Sequence, residues 1–314
     1  MMINTWTKII KNRLNVVGDK LTFKCISCRL CERQKACLNS SKHLSGFLWI
    51  GLLLCFTLDG ASQNGLPVTL GAKSIAMGNT GVAFNDVQAI LNNPAGLTSL
   101  SSLSLIIAAE QRFAISELQS LAAGVAFPGR SGIFGLSLQH FGFDLYNEQR
   151  IGLTYARSLS DHFSVGAQLI VHNTSIEEYG SKWTPAVELG FLYEITAYLH
   201  IGVHIFNPAR IEIIEGEYLP TVLRLGFSYR SSENVLFAAE INKDIDFPVQ
   251  VRAGLEYQLA KPLFFRVGMQ TAPEKWSSGI GYQLENQALK IDFSVAHHQF
   301  LGFSPAISLS YSLE

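Results

Sequence analysis

The stretch LKIDFSVA, Leu289 to Ala296, alternates apolar with polar residues up to Val295. In an extended strand successive side chains point to opposite faces, so this stretch has one apolar face and one face that carries charge. The same pattern returns in LRLGFSYR, Leu223 to Arg230, and in VQVRAGLEY, Val249 to Tyr257. A strand with two unlike faces is therefore the repeating unit of the chain.

Fourteen such segments follow one another from Ser101 to the end of the chain. They lie at about 101–111, 118–127, 131–141, 148–158, 162–174, 184–195, 198–206, 220–230, 234–243, 248–258, 262–271, 276–284, 288–298 and 304–313. Turn sequences such as FPGRSG, LSDH and SSEN separate them, and most connections are short enough for hairpins. No long helical pattern interrupts the series, which excludes βαβ units. We expect antiparallel strands that pair in sequence order.

Alternation alone fits both a soluble double sheet and a membrane barrel, and the composition favours the barrel. Charged residues make up only 16 % of the chain, against about 25 % in soluble domains. Segments of this length match tilted strands that span a bilayer. The non-apolar face is rich in glycine, which weakens a strand and is unusual on a water-facing surface. These glycines are Gly135, Gly152, Gly166, Gly190, Gly202, Gly226, Gly254, Gly268 and Gly281.

The charges are distributed unevenly. Residues 1–42 hold nine Lys and Arg against two acids, whereas residues 64–314 hold fifteen against twenty-two. An acidic body lacks the basic stripe expected of a protein that binds nucleic acid. The leader also carries Cys25, Cys28, Cys31 and Cys37. Their spacing is similar to an iron–sulfur run, but the last interval differs and no proline follows, and a zinc site is the alternative. We favour neither, and interpret residues 1–42 as the product of a start codon assigned too far upstream.

An export signal follows the leader. The twelve-residue run FLWIGLLLCFTL, Phe47 to Leu58, comes after basic residues and before the small residues of DGASQ. This arrangement is typical of a secretory signal peptide, and the run is shorter than the ~20 residues of a spanning helix. We predict cleavage near residues 61–63. The chain then divides into a leader and signal peptide (1–63), an N-terminal hatch (64–100) and a transmembrane barrel (101–314).

The hatch is predicted because a barrel of this size has an interior that its own side chains cannot fill, the limit being about eight strands. Residues 66–100 lack strand alternation and combine several glycines with a short helical turn, DVQAIL. Asp86 is placed to cap that turn, and Pro94 is placed to end it. We therefore expect the fold to be all-β, a fourteen-stranded antiparallel transmembrane β-barrel with an N-terminal hatch segment inside it.

The segment GAKSIAMGNTGVAFNDVQAILNNPAGL resembles the N-terminal signature of FadL-like outer-membrane barrels (the OmpP1/FadL/TodX superfamily), in particular its PorV/PorQ-type branch. The segments FNPAR, YLPTVLRLGFSYR and LGFSPAISLSYSL are also similar to that family. The resemblance implies a hatch motif of Gly71, Ala72, Met77, Gly78, Gly81, Asp86, Asn93, Pro94, Ala95 and Gly96. It also implies residence in the outer membrane of a Gram-negative (diderm) bacterium.

Two functions follow from this resemblance. The PorV/PorQ branch implies an accessory barrel of type IX protein secretion or surface attachment, with other envelope secretion proteins as partners. The alternative is FadL-like passive transport of hydrophobic small molecules, such as long-chain fatty acids. Outer-membrane lipid surrounds the barrel in either case. The longest loops, about 207–219 and 174–183, are short for a docking platform.

The polar face predicts charges inside the barrel, since a charge facing lipid at mid-membrane costs about 2–4 kcal/mol. These lumen charges are Glu188, Glu194, Arg224, Glu240, Arg252, Glu256, Arg266, Lys290 and Asp292. Their mixed signs indicate a cross-linked interior around a plug. His200 and His204 share a face but lie four residues apart on a strand, roughly 13 Å, which is too far to bind one metal. We predict no catalytic residue, no metal and no cofactor.

Overall fold

The computed structural model describes residues 69–214, 216–284 and 288–313. The predicted leader with its four cysteines, the signal peptide and the first residues of the hatch lie outside the described residues. Within the described part, no helix is long and apolar enough to cross a membrane.

Fourteen strands form one closed antiparallel barrel, in which β1 pairs with β16 and every other neighbour follows in sequence order. A separate two-stranded hairpin, β8–β9, lies between β7 and β10. The strands are β1 Ser104–Gln111, β2 Gln119–Gly129, β3 Gly132–Phe143, β4 Tyr146–Ser158, β5 Phe163–Ile176, β6 Gly180–Thr196, β7 Leu199–Phe206, β8 Glu212–Ile214, β9 Glu217–Tyr218, β10 Val222–Ser232, β11 Val235–Asp244, β12 Gln250–Ala260, β13 Leu263–Gln270, β14 Lys275–Gln283, β15 Leu289–His298 and β16 Gly302–Ser312. The predicted fold class is confirmed.

The side chains are arranged inside out relative to a soluble protein. Leu223 and Phe293 face outward and are 47 % and 50 % exposed, whereas their neighbours Arg224 and Asp292 face the interior and are 6 % and 0 % exposed. Apolar side chains pointing outward form a belt around the whole barrel. This arrangement is stable only where the surrounding medium is hydrocarbon.

The two ends of the barrel differ in their connections. We call the end where the chain enters β1 and leaves β16 the inner mouth, and the opposite end the outer mouth. Turns at the inner mouth are short, such as 130–131 and 233–234, whereas the outer mouth carries the 15-residue connection 207–221 with its own hairpin. Bacterial outer-membrane barrels have short periplasmic turns and longer extracellular loops, which places the inner mouth in the periplasm.

One predicted loop is a regular hairpin. Strands β5 and β6 continue through residues 174–183, with Thr174 paired to Lys182 and Ile176 paired to Gly180. The sequence pattern failed here because residues 174–183, TSIEEYGSKW, do not alternate apolar with polar residues. The outer surface therefore has even less loop than the sequence suggested.

The described part of the hatch, residues 69–100, lies inside the barrel and is almost entirely buried. It contains one short helix, α1, at Ala72–Ala76, followed by two 3-10 helices at Val87–Leu91 and Pro94–Ser99. Two further 3-10 turns, Arg112–Ala114 and Ser116–Leu118, lie in the connection between β1 and β2.

Candidate functional site

The two 3-10 helices of the hatch are fixed by local caps. Asp86 begins the first one, where its carboxylate accepts a hydrogen bond from the Gln88 N–H at 3.0 Å. Asn93 begins the second in the same way, accepting from the Ala95 N–H at 3.2 Å. Pro94 opens this second helix, a role that the sequence analysis did not assign to it. Proline is well suited to the first helical position because the missing N–H would have no partner there.

Asp86 also holds helix α1 in place. The Lys73 ammonium lies 2.6 Å from the Asp86 carboxylate and 4.6 Å from the centre of the Phe84 ring. Burial by itself would raise the pKa of the Asp86 carboxyl, but the adjacent Lys73 outweighs it and leaves that pKa below its ordinary value. The single acid of the hatch motif is thus ionised and bound within the hatch.

The barrel wall approaches the hatch backbone through a glycine girdle, the inward-facing Gly166, Gly190, Gly202, Gly226, Gly254 and Gly268. A side chain on Gly268 would collide with the backbone of Gly78, and one on Gly202 with the carbonyl of Val82. Gly78 has φ of +72°, a conformation that favours glycine. Both Gly78 in the hatch and Gly268 in the wall therefore need to be glycine. The girdle explains why a strand face inside a membrane barrel is glycine-rich: the hatch packs there.

Glu240 on β11 ties the hatch to the wall. Its fully buried carboxylate contacts Arg224 at 2.6 Å and Arg252 at 3.1 Å. The same carboxylate accepts hydrogen bonds from the backbone N–H groups of Gly81 and Val82, each at 3.1 Å. Two cations and two backbone donors around one buried acid satisfy its charge and most of its hydrogen-bonding capacity.

Arg224 and Arg252 also bind other parts of the hatch. Arg224 donates to the Asn92 carbonyl at 3.2 Å. Arg252 donates to the Asn79 carbonyl at 3.0 Å and to the Thr69 hydroxyl at 3.3 Å. Three separate hatch segments are therefore bound to three adjacent strands, β10, β11 and β12.

A second ionic group lies towards the inner mouth. Arg266 is fully buried and contacts Glu256 at 2.6 Å and Asp292 at 2.7 Å. Asp292 also accepts a hydrogen bond from the Gln88 amide of the hatch at 3.3 Å. Lys290 lies nearby with its ammonium 4.4 Å from the centre of the Phe264 ring. This group links strands β12, β13 and β15 to the first 3-10 helix.

A third group lies on strands β4, β6 and β7. Arg150 binds the buried Glu188, and His204 lies 3.3 Å from the other oxygen of that carboxylate. The guanidinium of Arg150 also lies 5.1 Å from the centre of the Phe206 ring. Glu194, the last predicted lumen charge, stands apart from these groups near the inner mouth, opposite His200.

The hatch is polar on one side and apolar on the other. Among the described residues, its side-chain hydrogen bonds to the wall reach only β5, β6 and β10–β16. Against β1–β4 it presents apolar side chains to a wall of mostly small apolar residues. We call this contact the apolar seam; it comprises Leu70, Val87, Ile90, Leu91 and Leu97 of the hatch with Ile106, Ala108, Ala122, Ala126, Ile133 and Ala156 of the wall.

A second apolar region lies at the outer mouth, beneath the connection 207–221. This outer patch comprises Ile170, Ala186, Phe206, Leu219 and Val222, with Ile213 packed against it. A cavity of about 20 Å³ separates the patch from the seam, and it is lined by Val222 of the patch and Leu91 of the seam. Arg150, Arg224 and Arg252 line the same cavity. The rest of the lining is polar as well, so a narrow polar constriction lies between the two apolar regions.

Several of these residues were not predicted. Arg150 lies two residues before the inward-facing Gly152 on the same strand and therefore also faces inward. The alternation in the sequence predicts this position. The partners of Gln88 and Asn92 lie 204 and 132 residues away, so no sequence pattern indicates these contacts. The partner of Lys73, Asp86, is 13 residues away, a spacing that matches no helix or strand period. No group of three His, Cys, Asp or Glu in the described part of the chain is arranged to hold a metal ion.

Comparison with known proteins supports the fold. No protein-family model matches the chain, and no curated protein sequence matches it. The toluene transporter TbuX of Ralstonia pickettii is similar in structure, with a TM-score of 0.59, 14 % identity, and coverage of 78 % of this chain and 98 % of that one. The toluene transporter TodX of Pseudomonas putida has a TM-score of 0.58, 13 % identity, and coverage of 78 % and 98 %. A Pseudomonas aeruginosa FadL homologue has a TM-score of 0.55, 14 % identity, and coverage of 79 % and 99 %.

These likenesses are at low identity and concern the fold. Together with the exposed apolar belt they identify the chain as a barrel of the outer membrane of a Gram-negative bacterium, as predicted. The three structures support the wider FadL-like fold and do not single out the PorV/PorQ branch, which stays a prediction.

Proposed function

We propose that this barrel passes hydrophobic small molecules passively across the outer membrane. The observation that carries the proposal is the pair of apolar regions, the outer patch and the apolar seam, that border one small cavity from either side. Sites that bind small molecules are lined mainly by apolar side chains, and the two regions supply such surface on either side of the polar constriction. The structurally similar barrels include two described as toluene transporters, which supports the same substrate class.

The proposed route enters under the connection 207–221, passes Val222 and Leu91, and follows the seam between the hatch and β1–β4. The cavity at the narrow point has room for about one water molecule, so a solute can pass only if the hatch shifts there. At the narrow point this shift must break the bonds from Arg224 to the Asn92 carbonyl and from Arg252 to the Thr69 hydroxyl. Along the seam, the described residues make no hydrogen bond between hatch and wall that a shift would break. Movement along the seam therefore costs less than movement on the side held by Glu240.

The accessory role in secretion has weaker support. It rests on the resemblance of the hatch motif to the PorV/PorQ branch. The outer surface carries little loop, since β5 and β6 pair up to a three-residue turn, 177–179. In the experiment below, secretion is favoured if the barrel is assembled, takes up no hydrophobic solute and is recovered cross-linked to other envelope proteins.

The test uses disulfide tethers, because the chain contains no cysteine after Cys55. A side chain on Gly124 would lie 2.7 Å from Cγ2 of Ile90, so the pair Ile90→Cys and Gly124→Cys can close the seam. The control pair, Ala76→Cys and Gly279→Cys, joins the hatch to β14 on its polar side. The two Cβ atoms would lie 2.7 Å apart, so the hatch must move away from β14 by about 1 Å to reach the ~3.8 Å of a disulfide. Uptake of radiolabelled toluene and oleate is measured in cells that lack other such channels.

We expect oxidation of the seam pair to reduce uptake to the level of cells without the barrel, and reductant to restore it. The control tether should leave uptake unchanged. If both tethers block uptake, the barrel is a transporter but the seam is not its route. If the untethered barrel is assembled, shown by a heat-dependent shift in electrophoretic mobility, and takes up neither solute, the proposed function is wrong.

A further inference from the structure

A cavity of about 130 Å³ lies at the inner mouth, on the side of the hatch away from the apolar seam. Phe84 and Asn85 of the hatch form one side of it, and strands β7, β10 and β11 form the other. Ala197 and Tyr198, in the turn between β6 and β7, border it, so the cavity opens towards the periplasm. The Arg230 N–H donates to the Tyr198 carbonyl at 2.8 Å and fixes this turn against β10.

The charged side chains that line this cavity are basic. Lys73 comes from helix α1 and Arg230 from the inner end of β10. His200 of β7 also lines the cavity. Two acids lie next to these basic residues: Asp86 binds Lys73 at 2.6 Å, and Glu194 lies opposite His200 in the strand pairing. Neither acid lines the cavity. Asp86 compensates the charge of Lys73, so an anion inside the cavity would face one excess positive charge, that of Arg230, which has no ion pair among the described residues.

The back of the cavity is apolar. Phe84 and Leu236 line it and belong to a buried cluster with Met77 and Ala238. The Lys73 ammonium lies 4.6 Å from the centre of the Phe84 ring, which leaves the cation at the edge of this apolar surface. An apolar floor beneath basic groups suits a molecule with one greasy part and one anionic part.

We propose that this cavity binds a small amphipathic monocarboxylate that enters from the periplasm. The carboxylate would accept charge-assisted hydrogen bonds from Arg230 and from a second N–H of Lys73, which keeps its bond to Asp86. Such bonds are stronger than those between neutral groups. The apolar part would lie on Phe84 and Leu236. The volume restricts the ligand to about one ring, well below the ~300 Å³ and more of pockets that take drug-sized molecules.

This inference goes beyond the proposed function, because the cavity and the seam lie on different sides of the hatch. It is tested on the purified full barrel in phosphatidylcholine nanodiscs, with ligand-observed fluorine NMR. The probe is para-fluorobenzoate, and para-fluorobenzyl alcohol is its uncharged match. Arg230→Gln removes an exposed cation, and Ala197→Phe fills the space without changing charge. Arg157→Gln, an exposed arginine near the same mouth on β4, is the matched control.

We expect para-fluorobenzoate to bind the wild type and Arg157→Gln, and to lose binding in Arg230→Gln and in Ala197→Phe. The alcohol should not bind any of them. The inference fails if the assembled wild type does not bind para-fluorobenzoate, or if Arg157→Gln weakens binding as much as Arg230→Gln. It also fails if inorganic phosphate displaces the probe as well as benzoate does, because the site would then select charge alone. Toluene uptake by the two cavity variants should match the wild type, so loss of transport and loss of this site are separate outcomes.

Discussion

Glu240 shows how one side chain can hold a plug inside a wide barrel. Its carboxylate has two arginines and two backbone N–H groups as partners and no contact with solvent. Glu240 and its two arginines stabilise one another only while all three are present, because removal of one leaves buried charge without compensation. The network therefore fixes where the hatch sits, whatever its net contribution to stability.

Replacement of Glu240 by glutamine should destabilise the barrel by about 3–5 kcal/mol, the usual cost of breaking a buried ion pair from one side. The amide keeps one acceptor but turns N–H groups towards Arg224 and Arg252. The readout is urea unfolding in detergent, followed by electrophoretic mobility. Glu233→Gln, in the exposed turn between β10 and β11, is the control and should change the free energy of unfolding by less than about 0.5 kcal/mol. Equal stability of the two variants would show that Glu240 does not anchor the hatch.

At the level of elements, the hatch fits the wall because glycine lets two backbones meet. Gly268→Ala places a methyl group against the backbone of Gly78 and residue 77, which cannot rotate away. Gly152→Ala is the matched control. Its methyl group would contact the side chains of Gln168 and Ser137, which can rotate away. We expect Gly268→Ala to displace the hatch and expose it to added protease, and Gly152→Ala to leave it protected. Equal protection in both variants would mean that the girdle is not needed for docking.

The strands were predictable from the sequence and the contacts of the hatch were not. Alternation located all fourteen barrel strands, because successive residues of each strand face lipid and lumen in turn and are apolar or polar accordingly. It failed at Thr174–Trp183, where both faces meet water and no alternation is required. Asp86 was predictable as a cap since capping is local. The bond between Gly81 and Glu240 spans 159 residues and leaves no periodic signal.

The whole molecule is an apolar belt outside, a glycine and ion-lined lumen inside, and a hatch bound mainly to one half of the wall. A closed barrel satisfies the backbone hydrogen bonds of every strand within the membrane, so the interior is free to be polar. That freedom explains why the wall can carry the buried Arg224, Arg252 and Arg266 on β10, β12 and β13 and buried apolar residues such as Ile106 and Ala122 on β1 and β2. The asymmetry is a property of the assembled barrel that no single strand shows.

The orientation of the barrel gives a prediction for the intact cell. Short turns at the mouth that holds both ends of the barrel place that mouth in the periplasm, and the β5–β6 hairpin then lies outside the cell. In Ser181→Cys the only cysteine after Cys55 lies on that hairpin, whereas in Asn234→Cys it lies in the opposite turn between β10 and β11. A membrane-impermeant maleimide should label Ser181→Cys on intact cells and Asn234→Cys only after the outer membrane is opened. The reverse labelling pattern would show that the barrel has the opposite orientation. The cavity at the inner mouth would then face the outside of the cell.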